Sequence, residues 1–176
     1  MKQYSKRMVI VHWLTLALLI TAWYLGDSLA DATDDSTATL AGYIVHASVG
    51  GVILLLALSQ LYFRRKDGTP PMLADTPLYQ VVAKSVHKFA YTVLILLPVT
   101  GVAIIVTSKV GQALMTGNAN LLPKKDGYEH VFAHEVHEML VTVLIVLVVV
   151  HLLGAIKHQF IMKDGLMERM MLRRKS

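Results

Sequence analysis

Four long apolar runs set the limits on this chain: residues 8–25, 42–63, 86–107 and 134–156. Each approaches the roughly 20 mostly apolar residues that a helix needs to cross a bilayer. The fourth run is rich in Val and Ile, which in water would favour strands. Its length and lack of polar alternation point to a helix instead, because a lone strand in lipid leaves its backbone groups unpaired. With 55% hydrophobic and 16% charged residues over 176 positions, the chain is far more apolar than a soluble globular domain. The expected fold is therefore all-α, a four-helix transmembrane bundle forming one domain over residues 1–176. "GTPP" at 68–71 marks one connecting loop, and 117–127 another. Basic residues precede the first run and Ala30-x-Ala32 follows it, as in a signal peptide. Its apolar stretch exceeds the usual 7–15 residues, so it is expected to stay as an uncleaved first helix.

Lys and Arg orient the bundle. Lys2, Lys6 and Arg7 precede the first run; Arg64, Arg65, Lys66, Lys84 and Lys88 lie around the second connection; Lys157, Lys163, Arg169, Arg173, Arg174 and Lys175 follow the last run. The opposite side carries only Lys109, Lys124 and Lys125. The positive-inside rule then places both termini in the cytoplasm. The net charge on that side is +10, which suits anionic lipid, and on the external side −5, from Asp27, Asp31, Asp34, Asp35, Asp126, Glu129, Glu135 and Glu138. Basic residues that flank spans give no support to nucleic-acid binding. The chain has no cysteine, which excludes disulfides, thiolate metal sites and covalently attached c-type haem.

Eight histidines remain, at 12, 46, 87, 130, 134, 137, 151 and 158. An ionisable side chain inside a membrane span is costly and faces the bundle interior, so function is the default reading. His137 and His151 are fourteen residues apart, which is roughly 21 Å of helical rise and within about 40° of whole turns. They leave one helix face near opposite sides of the membrane. They cannot chelate one ion together; they can ligate two cofactors stacked across the bilayer, or make two interhelical hydrogen bonds. His12 lies at the depth of His151, and His46 at the depth of His137. Neutral imidazole is a common axial ligand of haem iron, and b-type haem needs no covalent attachment. Gly50 and Gly51 follow His46, and Gly154 follows His151. They would admit either a flat macrocycle or close helix packing.

"HW" at His12-Trp13, "IVHASVGG" around His46, "LPVTG" from Pro98 to Gly101, "VHE" at His137, the step to His151 and the terminal "KDG" together resemble the bacterial cytochrome b561 family. These are dihaem four-helix membrane proteins, and the likeness covers nearly the whole chain. The resemblance implies two haem b groups, a cytoplasmic-side haem on His12 and His151 and an external-side haem on His46 and His137. It also implies a bacterial inner membrane and electron transfer to or from ubiquinone or a related quinone, with superoxide as an external donor. The acidic external side argues against steering an anion, although Lys109, Lys124 and Lys125 would form a local positive patch. A basic external redox protein is the alternative donor, and a haem-free small membrane protein the alternative class.

His87 and His158, at span ends on the cytoplasmic side, would bind a haem propionate, exchange a proton with quinone, or simply sit among headgroups and water. Lys84 and Lys88 would pair propionates or snorkel to lipid phosphate. His130, His134 and His137 have i, i+4, i+7 spacing that suits zinc or copper. A haem would occupy His137, however, and "HEVH" is not the H-E-x-x-H pattern. His130 and His134 therefore read as solvated residues at a helix start.

Overall fold

The computed structural model describes residues 3–31, 36–71, 77–123 and 131–172. Four long helices carry the fold: α1 (Lys6–Asp31), α2 (Ser36–Asp67), α3 (Pro77–Thr107) and, after the short α4 (Val110–Thr116), α5 (Phe132–Ile156). All four long helices are apolar and long enough to cross a membrane. No strand occurs among the described residues.

Each helix outruns its expected span because the apolar run sets only the lipid-facing length. Helical backbone continues through polar residues wherever no breaker intervenes. α2 runs on through Arg64, Arg65 and Lys66, cations that suit the negative end of the helix dipole. It stops at Asp67, just before Gly68 takes a left-handed φ of +70°. α3 begins with Pro77, whose fixed φ and missing N–H suit the first helical position. His87 is therefore in the third turn of α3 rather than at its start. The connection read as a loop over 117–127 holds a 3₁₀ turn at Ala119–Leu121, and 124–130 lie outside the described residues.

Packing follows a chain of neighbours: α1 on α2, α2 on α3, and α3 on α5. α1 and α5 make no comparable contact. Ile53 and Ala57 of α2 meet Val93 and Leu94 of α3 and Leu140 and Leu144 of α5, with Leu18, Leu19 and Ala22 of α1 alongside. The i, i+4 pairs Ile53/Ala57 and Leu140/Leu144 place the contacts of α2 and α5 each on one stripe. Ala57 is fully buried and lets two backbones approach, as small residues do between membrane helices.

Two polar features tie the helices together. Buried Gln60 of α2 donates to buried Thr15 of α1 at 2.7 Å and accepts from the Tyr91 hydroxyl of α3 at 3.4 Å. Arg7 pairs with Asp67 through both guanidinium nitrogens that reach it, closing the starting end of α1 against the last turn of α2. After α5 the chain makes a π-helical turn (Lys157–Met162) and folds a 3₁₀ turn (Met167–Met170) back onto the start of α1. Four hydrogen bonds hold it in place: Gln3 Nε2 to the Glu168 carbonyl, Tyr4 N–H to the Arg169 carbonyl, Trp13 Nε1 to the Met170 carbonyl, and Arg169 to the Pro71 carbonyl.

Candidate functional site

The histidines gather at two levels of α5. The ring centroids of His12 and His151 are 6.2 Å apart, with planes inclined by 61°. Those of His46 and His137 are 6.3 Å apart, inclined by 67°. In each pair one ring comes from α5 and the other from α1 or α2, across the seam that the helix packing leaves lightly filled. The separation has a chemical meaning. Two imidazoles on opposite sides of one metal hold their ring centres about 6 Å apart, given metal–nitrogen bonds of about 2 Å. The two rings of each pair meet edge to face and are not hydrogen-bonded to each other; of the interhelical hydrogen bonds of the plainer reading, His137 makes one, to Thr100 of α3.

The "LPVTG" stretch of α3 forms a seat for His137. The Thr100 hydroxyl donates to the Leu97 carbonyl at 2.8 Å and accepts from His137 Nδ1, also at 2.8 Å. With the hydroxyl proton engaged by Leu97, His137 would donate from Nδ1 and keep Nε2 free for a ligand, the usual outer-sphere arrangement for a metal-bound histidine. Gly101 leaves room beside the ring, since a Cβ there would lie 3.8 Å from His137 Cε1. Gly26 of α1 does the same for His46 more tightly, at 3.3 Å from Cε1. The Nδ1 of His46 is buried without a hydrogen bond of good geometry, beside the main chain of Ala22. Gly50, Gly51 and Gly154 have no atom within 4 Å of a would-be Cβ. They are not close helix-packing positions; a flat group could lie against them. The residues present thus fit b-type haem at both levels.

His87 joins the other pair. Its ring centroid is 5.3 Å from that of His151, nearer than the His12 ring, and its Nδ1 donates to the Ala83 carbonyl at 2.7 Å. Trp13 stands edge-on to His12 at 5.5 Å. His158 sits apart in the turn after α5, its Nδ1 at 2.5 Å from Asp164 Oδ2. Burial alone would raise the Asp164 carboxyl; hydrogen bonds from His158 and the Leu166 N–H hold it below its usual value instead.

His134, in the first turn of α5, lies 3.8 Å from Glu138. Among the described residues no three or more His, Asp or Glu side chains are placed to hold a metal ion directly. His130 lies outside the described residues. So do Asp34, Asp35, Lys124, Lys125, Asp126 and Glu129, on which the external charge count rests, and the terminal basic residues Lys2, Arg173, Arg174 and Lys175.

Thr100, Gly26, Gln60 and Tyr91 were not picked out by the sequence. Thr100 left a usable signal: a hydroxyl residue beside the Pro and Gly of "LPVTG", in a span that has to seat a histidine from its neighbour.

Paired imidazoles at two depths in a lipid-spanning helical bundle define a membrane haem protein. The comparisons narrow that class. The profile of the prokaryotic cytochrome b561 matches residues 3–172, and the chain belongs to that family. Cytochrome b561 homolog 1 of Escherichia coli (strain K12) is 24% identical, covering 99% of this chain and 100% of that protein. A Yersinia pestis protein named probable superoxide oxidase CybB is 27% identical over 97% of this chain and 96% of its own. Cytochrome b562 of Cereibacter sphaeroides is 25% identical over 96% and 94%. Family membership carries b-type haem and electron transfer in a bacterial membrane.

Proposed function

We propose that the protein moves electrons across the bacterial inner membrane between two b-type haems in a single domain with both termini cytoplasmic. His12 and His151 hold the cytoplasmic-side haem, and His46 and His137 the external-side haem. The observation that carries this reading is the pair of imidazole couples, 6.2 and 6.3 Å apart, at two levels of one helix. When bound, each haem would supply one-electron redox chemistry; the chain would supply two imidazoles to each, a low dielectric and orientation. Two histidines per haem would favour electron transfer over oxygen binding. Pyridine haemochrome analysis of matured protein should give a haem-to-chain ratio near two, and a ratio near zero would end this reading.

Quinone, ubiquinone or a related one, exchanges electrons at the cytoplasmic-side haem near His87 or His158. Its redox step moves protons, which imidazole exchanges near neutral pH. His87 is favoured because it shares the His12–His151 cluster. If His87→Ala and His158→Ala both leave quinone kinetics unchanged, the quinone reacts elsewhere.

The external donor is superoxide, as the name of the Yersinia relative suggests. The acidic external side supports the alternative, a basic redox protein. Salt separates the two: a docked basic partner should react more slowly as ionic strength rises, and superoxide faster.

A further inference from the structure

A cavity of about 330 Å³ opens between α2 and α3, with His87 in its wall. Lys84, Lys88, Tyr91 and Ile95 line it from α3, at spacings that share one helix face, and Leu61 and Arg64 from α2. No carboxylate lines it among the described residues. Its three cations form none of the ion pairs found there. Arg7, at the same end of the bundle, differs: Asp67 answers its charge. Lys84 and Lys88 are exposed, on the more polar starting turns of α3.

Tyr91 stands in the same lining as Arg64, and its hydroxyl donates to Gln60, which donates in turn to Thr15. The wall of the groove is thus tied across three helices before any ligand arrives, which lowers the ordering cost of binding.

We propose that the Arg64–Lys84–Lys88 groove between α2 and α3 binds the phosphate of an anionic phospholipid headgroup, with acyl chain along Leu61 and Ile95. Charge complementarity favours this occupant: three cations with no carboxylate partner among the described residues, beside the apolar Leu61 and Ile95, match a phosphate on an apolar tail. His87 forms the inner wall, so the headgroup would sit behind the residue nearest His151.

The test uses full-length, haem-loaded protein stripped of lipid, with phosphatidylglycerol and phosphatidylcholine added back and bound lipid counted by native mass spectrometry. Wild type should retain phosphatidylglycerol in preference to phosphatidylcholine. Each cation near an anionic surface is worth roughly fivefold. Lys84→Gln with Lys88→Gln, both exposed and outside the Tyr91 clamp, should therefore weaken phosphatidylglycerol binding about tenfold or more. Adding Arg64→Gln should weaken it further. Lys6→Gln, Lys157→Gln and Lys163→Gln together should leave the preference intact. An equal loss in both sets would reduce the effect to diffuse surface charge and overturn the site. Lost haem or an altered haem spectrum in the double variant, with lipid binding unchanged, would assign the cations to a haem propionate. Displacement of the lipid by inorganic phosphate at equal concentration would assign the groove to free phosphate, and displacement by a short-chain quinone to quinone.

Discussion

The two histidine pairs have nearly the same ring separation and very different surroundings. His46 and His137 are closely seated: a Cβ at Gly26 would come within 3.3 Å of the His46 ring, and the Thr100 hydroxyl meets His137 Nδ1 at 2.8 Å. Neither His12 nor His151 makes a hydrogen bond among the described residues. Their neighbours are aromatic, Trp13 at 5.5 Å and the third imidazole of His87 at 5.3 Å. His151 is exposed where the other three rings are half-buried. A pair seated by hydrogen bonding and small residues is set before any ligand arrives, as suits a site that only passes electrons. A pair with a spare imidazole and an open flank suits a site where electrons and protons leave together.

The largest test of that contrast removes ligands. His46→Ala and His137→Ala should each lower the haem-to-chain ratio from about two to about one and delete the same optical component. His12→Ala and His151→Ala should delete the other. Loss of the same component from His12→Ala and His46→Ala would break the pairing by depth. His87→Ala should spare the His46–His137 haem altogether.

Thr100→Val keeps the side-chain shape and removes the acceptor of the His137 N–H together with the hydroxyl's own bond to the Leu97 carbonyl. Losing such an outer partner costs roughly 10- to 100-fold in metal affinity. Haem transfer to an apo-globin acceptor should accelerate by that order at the His46–His137 level, with the other haem unmoved. An unchanged rate would mean that the seat around His137 is packing alone.

The glycines give a finer comparison. A Cβ at Gly26 sits tighter against His46 than ordinary van der Waals contact, so Gly26→Ala should shift that haem's spectrum and lower thermal stability by about 1 kcal/mol, the lower range for overpacking. Gly101→Ala meets His137 at ordinary contact distance and should be close to silent. Equal effects at both would show that the helices relax freely around the pair.

The four spans and the histidine levels were legible because they depend on two periodic quantities, bilayer thickness and helical rise. Hydropathy does not mark where a helix ends: α3 starts at Pro77 because a polar first turn is still helical. That His87 joins His12 and His151 was hidden because nothing local says which rings it will meet. The seat of His137 was hidden for a different reason. Thr100 is 37 residues away in sequence, and nothing local says which helix α5 will face. The fold-back of Met167–Met170 was hidden because it rests on main-chain carbonyls, which carry no sequence signature.

The smallest expected effect concerns that fold-back, which reaches only one of the two pairs. Trp13 donates to the Met170 carbonyl and also stands against His12, so the C-terminal turn and this ring share a neighbour. Asp164 fixes the start of the turn through His158 and the Leu166 N–H. Its carboxyl is held below the usual value in the folded chain. A group depressed in this way stabilises the fold above its unfolded pKa, about 3.9. That contribution fades as pH falls through the lower folded value. Hydrogen exchange at Leu166, corrected for intrinsic rate, should stay protected near neutrality and lose protection only below about pH 4. Asp164→Ala should remove the protection at every pH, by about 1.5 kcal/mol, the scale of a hydrogen bond to a charged group. The same change should slightly alter the spectrum of the His12–His151 haem and leave the His46–His137 haem untouched. If both haems respond alike, the two pairs are mechanically coupled through α5, and the contrast between a preset and an open site has to be abandoned.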